Sequence, residues 1–297
     1  MRDDELMDYD YIIIGGGVAG SICAYDLCKK EYKCLVLEKY RPDHEKICGG
    51  GISYKALELI RQSGIEIAPL FKFDSQAISG HISYKDGRVS EKIYKDGKVS
   101  LGIQRHLFDD YLRNQAQIMG ADIRFEHKVS KVLEEDDKYI VDGYSGNQLI
   151  WAIGARSLDG KIPKGQSIGL SGQIEARAYF NVNRFYYWYY EPACETKYFW
   201  AFPIGKNLWN VGLWSRQAFP EMRRDYEDCL ERYFLSHLSG EWRYLRKPKA
   251  EFLGHLDQRK ERKGCIGVGD FAGKCNPVNG GGIIGAIQSA LITASKN

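Results

Sequence analysis

An α/β fold, in which a parallel sheet built on a β-α-β unit is interleaved with a second, antiparallel sheet, is predicted by three observations. A strand, a glycine turn, a helix and another strand follow one another between Tyr9 and Glu38. Two later strands, Leu149–Ile153 and Gly264–Val268, also end in small-residue turns. Between them and ahead of them the pattern changes: from Ile78 the period is two, and Ile168 to Leu213 is aromatic and strand-like.

The first strand, Tyr9 to Ile14, carries three isoleucines and runs into Gly15-x-Gly17-x-x-Gly20, the spacing of a dinucleotide turn. Gly15 permits the tight turn, Gly17 lets backbone approach a pyrophosphate, and Gly20 lets helix and strand pack closely. The helix, about Val18 to Lys30, presents free N–H groups at its first turn and puts Ala19, Ile22, Cys23 and Leu27 on one face. A second strand, Cys34 to Leu37, ends at Glu38, 18 residues after Gly20, where a carboxylate can accept both ribose hydroxyls and disfavours a 2′-phosphate.

A charged loop then leads to Lys46-Ile-Cys48-Gly49-Gly50-Gly51 and a helix from Tyr54 to Ser63. Three consecutive glycines require backbone freedom or something flat lying against the chain. Tyr84-Lys-Asp-Gly-Arg-Val-Ser90 recurs as Tyr94-Lys-Asp-Gly-Lys-Val-Ser100, and each Asp-Gly is a hairpin signal, so a short antiparallel meander is expected. Ile103 to Met119 returns to helical spacing, with Arg105 at its start. Strands are expected at Asp122–Phe125, Val129–Leu133 and Tyr139–Val141, and Leu149–Ile153 runs into Gly154-Ala-Arg-Ser157. In the aromatic region alternate residues would face a core and a cavity, and Glu221 to Leu238 is an amphipathic helix suited to cover it. The last strand ends at Gly269-Asp270, and Pro277 to Gly282 leads into a final helix.

The composition narrows the functional class. The 297 residues, 44% hydrophobic, can bury a full core, and 42 basic against 39 acidic side chains give a net charge of +3, which argues for no nucleic-acid partner. Basic residues bunch at Arg243, Arg246, Lys247 and Lys249, and again at Arg259, Lys260, Arg262 and Lys263; a solvated face explains them, and transient contact with a membrane surface or an acidic protein is the alternative. Eight cysteines without C-x-x-C spacing read as reduced thiols, with no metal site, in a cytoplasmic protein. The acidic first ten residues form no secretory signal. Cys275 to Ser295 is 21 residues without a charge, but Asn276, Pro277, Asn279, three consecutive glycines and Gln288 make it a loop and a buried helix instead of a span.

Four separated motifs and Arg105 agree on one arrangement. With the Gly15 to Glu38 unit, Cys48-Gly-Gly, Arg105, Tyr198-x-Trp200-x-Phe202-Pro203-x-Gly205, and Gly269-Asp270-x-Ala272-Gly273 followed by Pro277-x-x-Gly280-x-Gly282-Ile283, the sequence resembles the geranylgeranyl reductase family of FAD-dependent oxidoreductases, within the p-hydroxybenzoate hydroxylase-like flavoproteins. The resemblance implies a Rossmann-like FAD-binding domain (residues 1–72, 101–167 and 258–297) interleaved with an antiparallel β-sheet substrate domain (73–100 and 168–257). It implies that Gly15, Gly17, Val18, Ala19 and Gly20 approach the pyrophosphate, and that Glu38 and Lys39 lie at the adenosine ribose. Arg105 would run along the phosphate and ribityl region, Val129 would meet the adenine, and Gly154, Gly269 and Asp270 would lie by the ribityl chain. Gly280, Gly281, Gly282 and Ile283 would face the flavin pyrimidine, where a helix N-terminus stabilises the negative charge of the reduced ring by roughly 0.3–1 kcal/mol. Cys48 and Gly49 would stand beside the isoalloxazine, with Cys48 catalytic, and Gly50, Tyr198, Trp200, Phe202 and Pro203 would line the substrate cavity.

Two departures qualify the likeness. Gly154-Ala-Arg-Ser lacks the aspartate of the family's Gly-Ala-Asp-Gly turn, and the sequence ends at Asn297, where family members continue with a helical region. The expected cavity is therefore shorter, more open or completed by a partner. The expected activity is reduction of carbon-carbon double bonds in an isoprenoid or similar apolar substrate by hydride transfer from reduced flavin, with an external electron donor, since only one nucleotide turn is present. The alternatives are a flavin-dependent monooxygenase or halogenase, whose W-x-W-x-I-P signature is half met by Trp200-Ala-Phe-Pro, and a non-catalytic flavin-binding protein. The bland reading of the aromatic residues is ordinary core.

Overall fold

The computed structural model describes residues 8–295 except 136, 157–160, 162–163, 165, 190–196, 217–220 and 257–265. In chain order the elements are β1 (Asp8–Ile14), α1 (Val18–Cys28), β2 (Cys34–Leu37), β3 (Gly51–Ile52), α2 (Tyr54–Ser63), β4 (Ser75–Ile78), β5 (Gly80–Lys85), β6 (Arg88–Ile93), β7 (Ser100–Ile103) and α3 (Arg105–Ile118). There follow β8 (Asp122–Arg124), β9 (Val132–Glu135), β10 (Lys138–Val141), β11 (Tyr144–Trp151), β12 (Ser167–Ala178), β13 (Arg184–Tyr189), β14 (Lys197–Gly205), β15 (Leu208–Ser215), α4 (Met222–Tyr233), β16 (Leu238–Leu253), β17 (Ile266–Gly267) and α5 (Ile283–Ser295).

The first sheet has the order β8-β2-β1-β11-β10-β9, with β17 also paired to β11. Its β8, β2, β1, β11 and β17 are parallel, and β9 and β10 form an antiparallel hairpin at the edge. Strand alternation divides the three isoleucines: Ile13 joins Val36 and the helices α1, α2, α3 and α5 in one core, while Ile12 and Ile14 join Leu35, Leu37 and Trp151 on the opposite face. Because α1 packs against both α3 and α5, it is buried on almost every side, not only along the predicted stripe. A Cβ at Gly20 would run into the Gly15 carbonyl, so helix and turn meet as that spacing predicts.

The second sheet runs β16-β12-β15-β14-β13-β5-β6, antiparallel throughout except where β13 pairs β5 in parallel. One face carries Tyr186, Trp188, Phe199, Ala201, Trp209, Val211 and Leu213 against Met222, Tyr226, Cys229 and Leu230 of α4. The other face carries Phe185, Trp200, Phe202, Leu208 and Trp214, and it faces strand ends of the first sheet.

Two local expectations change. Asp86-Gly87, both at positive φ, do join β5 to β6 as a hairpin, but the second Asp-Gly turn does not return β7 to β6. Leu101 and Ile103 of β7 are fully buried, so β7 is drawn between β3 and β4 in a separate three-stranded sheet, whereas β6 is exposed along its whole length. The amphipathic helix ends at Tyr233, because Leu238 already opens β16, an edge strand that carries the first basic bunch. The second basic bunch, the Gly264-Cys265 start of the last expected strand, and Ser157 lie outside the described residues. The uncharged stretch after Cys275 is a turn and α5, and among the described residues no helix is long and apolar enough to cross a membrane.

Candidate functional site

The carboxyl ends of β1, β11 and β17 and the first turns of α1 and α5 open into one cavity of about 810 Å³, roofed by the aromatic face of the second sheet. The ends of parallel strands are where α/β sheets place ligands, and a cavity of this size is in the range that takes a cofactor or drug-sized molecule. Its wall brings together Gly17, Val18, Ala19, Cys48, Gly49 and Arg105 with Gly154, Gly269 and Asp270. Gly280, Gly281, Gly282 and Ile283 join them, and so do Tyr198, Trp200 and Phe202.

Other expected residues stand back from the wall. Gly15 and Gly20 form the turn beneath it. Glu38, 8% exposed at the end of β2, accepts hydrogen bonds from Gly16 N–H at 2.7 Å and Tyr40 N–H at 2.9 Å. Lys39 is exposed, with Nζ over the Tyr40 ring, and Val129 packs on the core beneath β1 and β11. Gly50 is held against the Ile103 carbonyl, and Pro203 sits in β14 opposite Trp209.

The glycines after Cys48 have a local cause. A Cβ at Gly49 would lie 3.0 Å from the Phe202 ring and 3.2 Å from the Trp200 indole nitrogen, and one at Gly51 would lie 3.2 Å from Phe185. The flat objects lying against this loop are rings of β13 and β14. Gly212 serves the same packing from β15, since a side chain there would occupy the space of the Trp200 ring.

Arg105, 4% exposed, makes a two-pronged ion pair with Asp109 at 2.9 Å, and Cys48 lies close enough to act on its charge. Burial works against its charge, but Asp109 and Cys48 outweigh it and hold its pKa above the ordinary value. Burial raises the phenols of Tyr187 and Tyr198, which therefore stay protonated, and lowers the pKa of His81 on the same wall. Tyr198 donates to the Asn279 carbonyl at 2.8 Å and so ties the aromatic roof to the turn before α5. Asp270 accepts from Gly254 N–H at 3.2 Å, and Ser289 of α5 accepts from Gly269 N–H at 2.9 Å.

Sequence reading missed His81, Ser83, Tyr187 and Tyr189 on the wall, although their positions at alternate residues of β5 and β13 carried the signal. It also missed Arg113, 5% exposed, which donates to the Pro42 carbonyl at 2.7 Å and reaches the Gly16 carbonyl at 3.4 Å, bracing the glycine turn from α3.

The wall fits a flavin dinucleotide on three observations. Nothing lies within 4 Å of a Cβ position at Gly17 or Gly154, so backbone is open to a ligand at both turns. Two helix N-termini, of α1 and α5, meet the cavity with N–H groups that the helices themselves leave unpaired. The Trp214 indole N–H, on the wall beside Gly280, is buried without a partner among the described residues, a cost a bound acceptor removes.

The FAD binding domain family matches residues 8–148. The digeranylgeranylglycerophospholipid reductase of Thermoplasma acidophilum is 28% identical over 316 residues, covering 96% of this chain and 77% of the relative. Its counterpart from Thermoplasma volcanium is 27% identical over 315 residues, with the same shares of each chain. Among solved structures, a geranylgeranyl bacteriochlorophyll reductase-like protein from Thermoplasma acidophilum superposes with a TM-score of 0.76 at 20% identity, over 97% of this chain and 77% of that one, and so shares the fold. An FAD-binding N-terminal half and reductase relatives met along nearly the whole sequence agree with the cavity's construction: the protein is an FAD-dependent oxidoreductase related to the geranylgeranyl reductases.

Proposed function

We propose that the protein reduces carbon-carbon double bonds in an isoprenoid or similarly apolar chain. The observation that carries this reading is the aromatic roof: Tyr187, Tyr189, Tyr198, Trp200, Phe202 and Trp214 wall one cavity together with the glycine turns and helix N-termini that suit FAD. Burying each CH₂ of a prenyl chain against such rings is worth about 0.8 kcal/mol. Relatives named as reductases of digeranylgeranylglycerophospholipids support the substrate class.

Glu38 and the first turn of α1 would hold the adenosine and pyrophosphate, and Asp270 and Gly280–Ile283 would hold the ribityl chain and ring. Bound and reduced, FAD supplies the hydride. The chain must supply the rest: a surface that keeps the alkene flat, and a proton for the second carbon. Cys48 Sγ is the candidate for both. Giving up its proton would leave a thiolate beside the Arg105 guanidinium, whose charge offsets it while Asp109 fixes the guanidinium in place.

The test is anaerobic. Dithionite-reduced, FAD-loaded protein mixed with geranylgeranyl substrates should be reoxidised in a single turnover, giving product two hydrogens heavier, and Cys48→Ala should slow this about 10²-fold or more, the usual contribution of a positioned acid. Equal rates in the two proteins would remove Cys48 from the chemistry. No reoxidation in either, with NAD(P)H-coupled oxygen consumption instead, would turn the reading to a monooxygenase or halogenase.

A further inference from the structure

Among the deeply buried side chains on the cavity-side face of β12 and β15 are three polar ones: Ser171 and Gln173 on β12 and Asn210 on β15, exposed by only 1%, 5% and 1%. Gln173 and Asn210 stand directly opposite one another in the strand pairing. Polar groups this deep are retained only where they have partners, and theirs come from one loop. Asn210 Nδ2 donates to the Cys48 carbonyl at 2.7 Å, Ser171 Oγ lies 3.2 Å from the same carbonyl, and Gln173 Nε2 donates to Glu45 Oε1 at 2.9 Å. On its far side Asn210 Oδ1 accepts from the Trp200 indole N–H at 2.9 Å and from Ser171 Oγ at 3.0 Å. The loop's other end is pinned as well, because Glu45 accepts the Arg105 and His106 N–H groups at the start of α3, at 3.1 and 2.8 Å.

We infer that Asn210 is a positioning residue, seconded by Ser171 and Gln173, that fixes the Cys48 loop and the Trp200 ring in one geometry. The orientation of its carboxamide is not arbitrary. A carbonyl only accepts and an indole nitrogen only donates, so the nitrogen must face Cys48 and the oxygen must face Trp200. One planar group therefore spans the loop carrying the candidate proton donor and the ring on the wall, and the distance between them is set by that group's length. This assignment rests on the reading that Cys48 faces the reacting carbon, but the clamp itself is measurable without flavin or substrate.

The experiment follows alkylation of individual cysteines by iodoacetamide in folded, FAD-free protein, read peptide by peptide by mass spectrometry. Cys48 is half-exposed, whereas Cys23, Cys28, Cys34, Cys229 and Cys275 are buried and report on global opening. Asn210→Asp keeps the size and the acceptor for Trp200 but sets a carboxylate oxygen against the Cys48 carbonyl. It is expected to speed Cys48 labelling at least tenfold while the buried cysteines stay at the wild-type rate, and to lower single-turnover kcat with KM little changed. Ser171→Ala, a gentler loss, is expected to give about a threefold rise at Cys48 alone, and it carries the test if Asn210→Asp does not fold. Labelling of Cys48 within twofold of wild type, or an equal rise at all cysteines, would overturn the clamp. Selective labelling together with no prenyl reduction would instead sustain the clamp and sink the substrate reading.

Discussion

Glu38 has both carboxylate oxygens engaged, one on Gly16 N–H and the other on Tyr40 N–H, and each oxygen keeps a lone pair for a ligand. The side chain thus shapes the glycine turn as well as facing the expected ribose. Hydrogen bonds to a charged group are worth about 1.5–3 kcal/mol, so Glu38→Ala should weaken FAD binding at least tenfold in a flavin-fluorescence titration. An unchanged dissociation constant would mean that the nucleotide takes its hold elsewhere. The sequence made Glu38, Cys48 and Trp200 visible because each belongs to a spaced motif. Asn210, Ser171, Gln173 and Glu45 belong to none, and only the wrong polarity of three of them at inward positions of apolar strands marked them out. A buried polar residue is more informative than another buried leucine, but it can be recognised only once the inward parity of the strand is known.

At the scale of elements, the loop before Cys48 is attached to α3 through a titrating pair. The hydrogen bond to Glu45, 2.6 Å from Nδ1, raises the His106 pKa above its ordinary 6.5, with Asp110 and Asp43 adding to it. Burial pushes the Glu45 carboxyl up, yet the His106 and Arg105 hydrogen bonds and Arg246 bring it below its ordinary 4.5. A raised histidine contributes fully below about pH 6.5 and loses its contribution as pH rises through the folded value; a depressed carboxyl contributes above about 4.5 and loses it as pH falls through its own. Attachment is therefore strongest between these limits and weakens as pH rises through the raised His106 value. Amide hydrogen exchange across residues 45–51 should quicken from pH 6 to 8.5, after correction for intrinsic exchange, and His106→Gln should flatten that dependence. A wild-type profile as flat as the variant's would sink the idea. Glycine turns and helix periods announced most elements, but partner choice among strands was not legible: the repeated Tyr-Lys-Asp-Gly predicts two like hairpins, and the burial of Leu101 and Ile103 sends β7 to other neighbours. The edge strand β16 was likewise hidden, since its charges obscure the period that pairing with β12 imposes.

Over the whole molecule, the first and last parts of the sequence form a single nucleotide-binding body, with α1 packed on α5 and β17 paired to β11. A ligand bound across these segments and absent from the unfolded chain stabilises by about 2.7 kcal/mol at a hundredfold excess over its dissociation constant. Added FAD should therefore raise the melting temperature and give a bound-flavin absorption spectrum, whereas NAD and FMN, each lacking half of the contacts, should do neither at equal concentration. Absence of both signals with saturating FAD would remove the cofactor from the cavity. The β-α-β unit and the Gly-Asp turn made this body legible from sequence, because backbone approach to a phosphate leaves few residue choices; the aromatic roof was legible only as alternation, which does not say which parity meets α4 and which the cavity. The long separation between the two halves also sets an order of events in the living cell. At roughly 5–20 residues per second, the glycine turn at Gly15–Gly20 leaves the ribosome tens of seconds before Gly280–Ile283 are polymerised, so a nascent chain displays an unfinished half-site that no dinucleotide can fully occupy. On the proposed assignment of Gly280–Ile283 to the flavin ring, flavin capture is a late event of biosynthesis, and a polypeptide arrested ahead of α5 is expected to hold FAD more weakly than the full chain.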